Sequence, residues 1–147
     1  MGEPWADELG AIRRAFERFP KILAGGDVEL YLEDLHPEVE WVPIMALLEG
    51  RIYRGHDGVR EWIEDLRHDW EVFIPVLEEI RPLGGGHFLL FGHWQARGRG
   101  SGVDLKGTQP ATWLVHMRDS RVDRLQTFTK REEALKAAES LLPEPPG

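Results

Sequence analysis

Two apolar stripes of helical period precede an unbroken succession of strand-like segments, and this order constrains the fold more than any other feature of the chain. Trp5, Leu9, Ile12, Phe16, Phe19 and Leu23 recur at alternating spacings of four and three. Val59, Trp62, Ile63, Leu66 and Trp70 follow the same period. Each set lines one face of a 3.6-residue helix. From Val72 onward the pattern becomes strand-like, with strands expected over 72–81, 87–97, 108–118 and 121–128. Gly84-Gly85-Gly86, the glycines at 98, 100 and 102, and Asp119-Ser120 separate them. Helices first and hairpin-linked strands afterwards mark an α+β domain rather than a βαβ chain.

Smaller elements fill the gaps. Pro20 should kink or interrupt the first helix, because proline lacks the helical donor and clashes with the preceding turn. Gly25-Gly26 stops that helix. Asp27 reads as the N-cap of a short helix with an apolar face of Val28, Tyr31, Leu32 and Leu35, ended by His36-Pro37. A strand is expected over 38–43, with Val39 and Trp41 on one face, then a loop over 44–55 and the next helix from about Asp57. A proline at 110 suggests a bulge in the third long strand. Thr129 and Glu132 read as a capping box opening a last helix, with Leu135, Ala138 and Leu142 as its apolar face.

The expected architecture is one curved antiparallel sheet of about five or six strands, wrapped on one face by the N-terminal helices. Long strands bending over helices form a cone and leave an apolar pocket. The chain has 147 residues, which suits one domain over 1–142, with a flexible Pro/Gly tail at 143–147.

Charge and composition narrow the function classes. The net charge is −8, whereas binders of nucleic acid or anionic membranes need a basic surface. Arg97 and Arg99 in a turn are too few to make one. There is no cysteine, so disulfides and thiolate zinc sites are excluded, and a cytoplasmic location is expected. No apolar run approaches the roughly 20 residues that span a bilayer. The acidic N-terminus lacks the pattern of a signal peptide. His87 and His93 lie roughly 20 Å apart along one strand, and the histidines show no metal-binding spacing. No metal or cofactor is expected.

Several side chains are candidates for a site. In the strand over 72–81, Val72, Ile74, Val76, Glu78 and Ile80 alternate onto one face, which places Glu78 on the apolar side. A desolvated carboxylate has a raised pKa and can act as general acid or base. The alternative is a strand-end glutamate that reaches solvent or pairs with an arginine. His93, mid-strand, is the second candidate proton carrier, or else a packed, hydrogen-bonded residue. Trp41, Tyr53, Trp94 and Trp113 are candidate walls for a flat apolar ligand, with core packing as the competing role. Trp5, Trp62 and Trp70 are assigned to the core. Gln126 or its neighbour Thr127 would supply a polar pocket group. The glycines at 98, 100 and 102 mimic a phosphate loop, but a strand follows where such a loop must open a helix.

The order of elements resembles the SnoaL-like polyketide cyclase and ketosteroid isomerase superfamily, which shares the nuclear transport factor fold. His36-Pro37-Glu38-Val39-Glu40-Trp41 is similar to that family's first strand entry. Tyr53-Arg54-Gly55-His56-Asp57-Gly58-Val59 is similar to its "Y-x-G-x-x-G-V" helix opening. Residues 97–103 are similar to a hairpin of uncharacterised members. Arg118-Asp119-Ser120-Arg121-Val122 resembles its "R-D-G-K-V" turn, with serine in place of glycine. Glu132-Glu133-Ala134-Leu135 resembles its "E-A-L" terminus. The resemblance spans about Leu9 to Leu142.

It implies a cone-shaped fold, a central pocket for a small apolar or polycyclic molecule, and a homodimer formed through the sheet. It implies no single activity, since the fold hosts isomerases, cyclases, dehydratases, hydrolases and non-enzymes. The family's isomerases place a general-base aspartate near the end of the first strand. Trp41 or Val42 stands there here, with Glu40 one residue away, which disfavours steroid isomerisation. Two readings stay open: a cofactor-independent acid/base enzyme using Glu78 and His93, with Trp41, Tyr53, Trp113 and Gln126 shaping the pocket, or a non-catalytic ligand-binding or dimerisation module.

Overall fold

A computed structural model describes residues 6–43, 51–98 and 104–141. Trp5, the glycines at 100 and 102, Arg99 and the expected tail lie outside the described residues. Helix α1 spans Ala6–Leu23, α2 Val28–Leu32, α3 Gly55–Asp69 and α4 Arg131–Leu141. The strands are β1 Leu35–Val42, β2 Tyr53–Arg54, β3 Trp70–Gly84, β4 His87–Gly98, β5 Asp104–Arg118 and β6 Arg121–Phe128. They form a six-stranded sheet in the order β2-β1-β6-β5-β4-β3. The fold is α+β, as expected.

Several features depart from the expectation: Leu35, expected on the short helix, opens β1, and β2 falls inside the expected loop over 44–55. Helix α1 runs through Pro20 to Leu23 without a break. The sheet is not wholly antiparallel, because β1 pairs with β6 in parallel. The helices cover both faces: α1, α2 and α3 pack on the inner face, and α4 packs on the outer one, where Ala134 and Ala138 meet Leu89, Phe91, Leu114 and Phe128.

The early helices form as their stripes dictate. Ile12, Phe19 and Leu23 of α1 and Val59, Trp62, Ile63 and Leu66 of α3 are buried. Asp27 caps α2 through its Oδ1, which accepts the Glu29 N–H at 3.0 Å. Asp34 is buried at the α2–β1 junction, where Arg14 and Arg18 donate to it at 3.1 and 3.3 Å. Its backbone carbonyl accepts the Val122 N–H at 2.9 Å. This ties α1 to the end of the sheet where β1 and β6 begin.

The long strands bend because their ladders slip. Strand β3 shifts register against β4 at Trp70/Val72, Leu77/Glu79 and Pro82/Gly84, and such bulges kink a strand and raise its twist. In the β4–β5 ladder the slip lies at Trp94/Ala96, next to the pair His93–Pro110. Asp119 and Ser120 both take positive φ, 54° and 60°, the two-residue hairpin turn whose twist matches its strands. No helix among the described residues is long and apolar enough to cross a membrane.

Candidate functional site

Between the inner helices and the bent sheet lies a hollow. Space free of protein atoms, its open mouth included, amounts to about 710 Å³. The helical side contributes Ile12, Phe16 and Phe19 from α1, Tyr31 from α2 and Trp62 from α3. The sheet side contributes Trp41 from β1, Phe73 and Pro75 from β3, Leu90 and Trp94 from β4, Trp113 and Val115 from β5, and Leu125 and Thr127 from β6.

Aromatic contacts fix this wall. Trp62 packs on Phe19 at 5.3 Å and on Trp41 at 5.2 Å between ring centroids. Trp94 stacks on Phe73 at 5.5 Å, and Trp113 meets Phe16 edge-on at 5.2 Å. Each such pair adds about 0.5–1.5 kcal/mol beyond the area it buries.

The chemistry of the lining is narrow. Among the described residues it contains no carboxylate, imidazole, ammonium or guanidinium. Its polar side-chain groups are the Tyr31 phenol, the Thr127 hydroxyl and the indole N–H groups of Trp41, Trp62, Trp94 and Trp113. Burial, helped by the nearby Asp34 carboxylate, pushes the Tyr31 phenol far above its usual value, so it stays neutral. The Trp41 and Trp94 Nε1 atoms are buried and have no hydrogen-bond partner. A buried donor without an acceptor is uncommon in native proteins and costs about 1–3 kcal/mol.

Of the residues expected to shape the pocket, Trp41, Trp94 and Trp113 line it, and so does Trp62, which the helical stripe had assigned to the core. Tyr53 does not: it is buried beside α3, with its hydroxyl donating to Asp65 at 3.0 Å. Gln126 does not either. The inward residues of β6 are Val122, Leu125 and Thr127. Their uneven spacing follows from the register slip at His116/Met117, which shifts the alternation on either side of Asp123. Gln126 therefore faces outward, where it borders a smaller hollow with His87, Leu114, His116 and Arg124.

Glu78 and His93 come together, but not in the cavity. Strand β3 turns Phe73 and Pro75 inward, so Val72, Ile74 and Val76 face outward, opposite the expected sense. Glu78 sits in the slip at Leu77/Glu79, and its Oε1 lies 2.5 Å from the His93 Nδ1 on the outer face. The Glu78 side chain is 58% exposed and that of His93 20%. The desolvation expected for Glu78 is absent, because Val72, Ile74 and Val76 face away from the cavity and Glu78 itself sits exposed in the slip that follows them. Glu40 is spoken for by Arg54, which donates to it at 3.2 Å.

No protein-family model and no curated protein matches the chain. Solved structures do. An NTF2-like protein of unknown function from Burkholderia pseudomallei K96243 is 17% identical over 88% of this chain and 95% of its own, with a TM-score of 0.70. TerC, co-crystallised with polyporic acid, is 21% identical over 90% of this chain and 98% of its own, with a TM-score of 0.69. A candidate SnoaL-like polyketide cyclase from Jannaschia sp. CCS1 is 16% identical over 97% of this chain and 99% of its own, with a TM-score of 0.66. The chain thus has the fold shared by NTF2-like, SnoaL-like and ketosteroid isomerase-like proteins.

Proposed function

We propose that the protein binds a small, flat, uncharged organic molecule in this cavity, with an acceptor oxygen against the Trp94 indole. One observation carries the reading: two buried, unpartnered N–H donors line a hollow otherwise almost wholly apolar. Apolar surface supplies the affinity. The Trp94 donor orients a carbonyl or ether oxygen, and the absence of a described counter-charge disfavours ionised ligands. Support for an organic ligand comes from TerC, a protein of this fold co-crystallised with polyporic acid. The cavity as described offers donors but no acid/base pair, which favours a binding module over an acid/base enzyme. The cysteine-free, acidic composition fits a cytoplasmic setting.

Isothermal titration of fluorene and fluorenone, which share a skeleton, tests this directly. The ketone should bind more tightly, and Trp94→Phe should erase its advantage of about five- to tenfold while leaving the hydrocarbon's affinity alone. Failure of both compounds to bind would overturn the reading.

The outer sheet face supports a second proposal, a homodimer. Val72, Ile74 and Val76 lie there half-buried, away from the residues that α4 covers. A second copy is the partner we propose for them.

A further inference from the structure

The outer face also carries a row of nitrogen side chains that the cavity does not use. His87 of β4 pairs in register with His116 of β5, and His116 with Arg124 of β6. The two imidazole centroids are 4.5 Å apart. Together with Leu114 and Gln126 these side chains line a separate small hollow of about 220 Å³, mouth included.

With the imidazoles protonated, each polar group in it is able to donate. His116 is held from behind, with its Nδ1 2.5 Å from the Asp123 Oδ1, which leaves Nε2 as its second nitrogen. Arg124 donates to the Gln126 Oε1 at 3.4 Å, which keeps that amide's NH₂ end available. The His87 Nδ1 is buried and has no partner. The Gly86 turn closes one side: a Cβ there would meet the His116 Nε2 at 3.2 Å. A hollow ringed by donors calls for an acceptor-rich guest, and a negative charge suits Arg124 and protonated imidazoles best.

We propose that His87, His116, Arg124 and Gln126 form a binding site for a small oxyanion, as a free ion or as the sulfate, phosphate or carboxylate group of a metabolite. The charged groups around it are few. Asp123 of β6 is shared between His116 and Arg118 of β5, at 2.5 and 3.5 Å. Arg118 also reaches Glu38 at 2.6 Å. Glu40 of β1 lies across the ladder from Arg124 and pairs with Arg54. Burial, and then the proximity of His116 and Arg124, hold His87 below the usual imidazole value. An anion in the hollow opposes both effects by favouring the protonated ring. Binding therefore takes up a proton and strengthens as pH falls.

Sulfate is the probe, since its charge is constant over the range used. The full chain is titrated with it at fixed ionic strength, at about pH 5.5 and about pH 8, on either side of the histidine range. Imidazole Cε1–H resonances are read by NMR. The His87 and His116 signals should move saturably, with affinity at least about threefold higher at the lower pH. Arg124→Gln, at an exposed position, should weaken binding by about tenfold, the loss of a charge-assisted hydrogen bond. His87→Asn should reduce the pH dependence. A parallel acetate titration ranks planar against tetrahedral oxyanions, and saturation by either supports the site. Shifts no larger than chloride produces, or binding unchanged in Arg124→Gln, would overturn it.

Discussion

An imidazole that resists protonation in the folded chain and accepts it freely in the unfolded one makes stability depend on pH. His87 is such a group, with its proton affinity lowered by burial and by His116 and Arg124. The unfolded chain binds the extra proton first as pH drops through about 6.5, so stability falls below that point and is fully present above it. We expect thermal unfolding of the wild type to shift down between about pH 7 and about pH 5.5, and His87→Asn to flatten that part of the profile. An unaltered profile would remove His87 as its source. A second residue-scale expectation concerns Gly92, whose missing side chain lets β3 and β4 close at the Leu77 slip. A Cβ there would run into the Val76 carbonyl and lie 3.2 Å from the Trp113 ring. Gly92→Ala should cost about 1–3 kcal/mol by overpacking, read from chemical denaturation.

The elements were legible in the sequence where period and turn chemistry agreed. The stripes of α1 and α3, the Asp27 cap and the Asp119-Ser120 turn all appear where their residues put them. What stayed hidden was long-range. Strand β2 is only two residues, Tyr53 and Arg54, and no pattern that short is readable. The inward sense of β3 was misread because both of its faces carry apolar side chains, Val72, Ile74 and Val76 on one and Phe73, Pro75 and Leu77 on the other. Alternation cannot choose between two apolar faces, and the slip at Leu77/Glu79 resets it midway. The apolar face of helix α4 does not tell which side of the sheet it takes, and its small residues dock it outside. Ala134 and Ala138 are 0% and 4% exposed against Leu89, Phe91, Leu114 and Phe128. A charge placed there would be buried without a partner, so Ala138→Asp should lower stability by about 2–4 kcal/mol. Because the sheet separates this cluster from the cavity, the folded fraction should bind fluorenone with unchanged affinity. A loss of binding in step with stability is the contrary outcome, and it would mean the two faces are not independent.

At the scale of the whole molecule, the sheet divides the chemistry. Its concave side holds uncharged aromatic surface and two waiting donors, and its convex side holds the pairs Glu78–His93 and Asp123–His116. Proton carriers on the convex side cannot touch a molecule enclosed on the concave one. Glu78→Gln should therefore leave affinity for a cavity ligand unchanged. Glu78–His93 instead lies beside the half-buried residues Val72, Ile74 and Val76, and polar pairs at the rim of an apolar patch are characteristic of an interface. If a second copy covers that patch, Ile74→Lys places charges against each other across it, and the cost falls on association rather than on folding. Sedimentation at increasing protein concentration should show the wild type moving to twice the mass of the chain and Ile74→Lys holding at one. The cavity of the variant should still take fluorenone, since Ile74 points away from it. A wild type that sediments as a single chain at every concentration would show that the half-buried strip is simply solvated, and the homodimer would be abandoned with the cavity reading left standing.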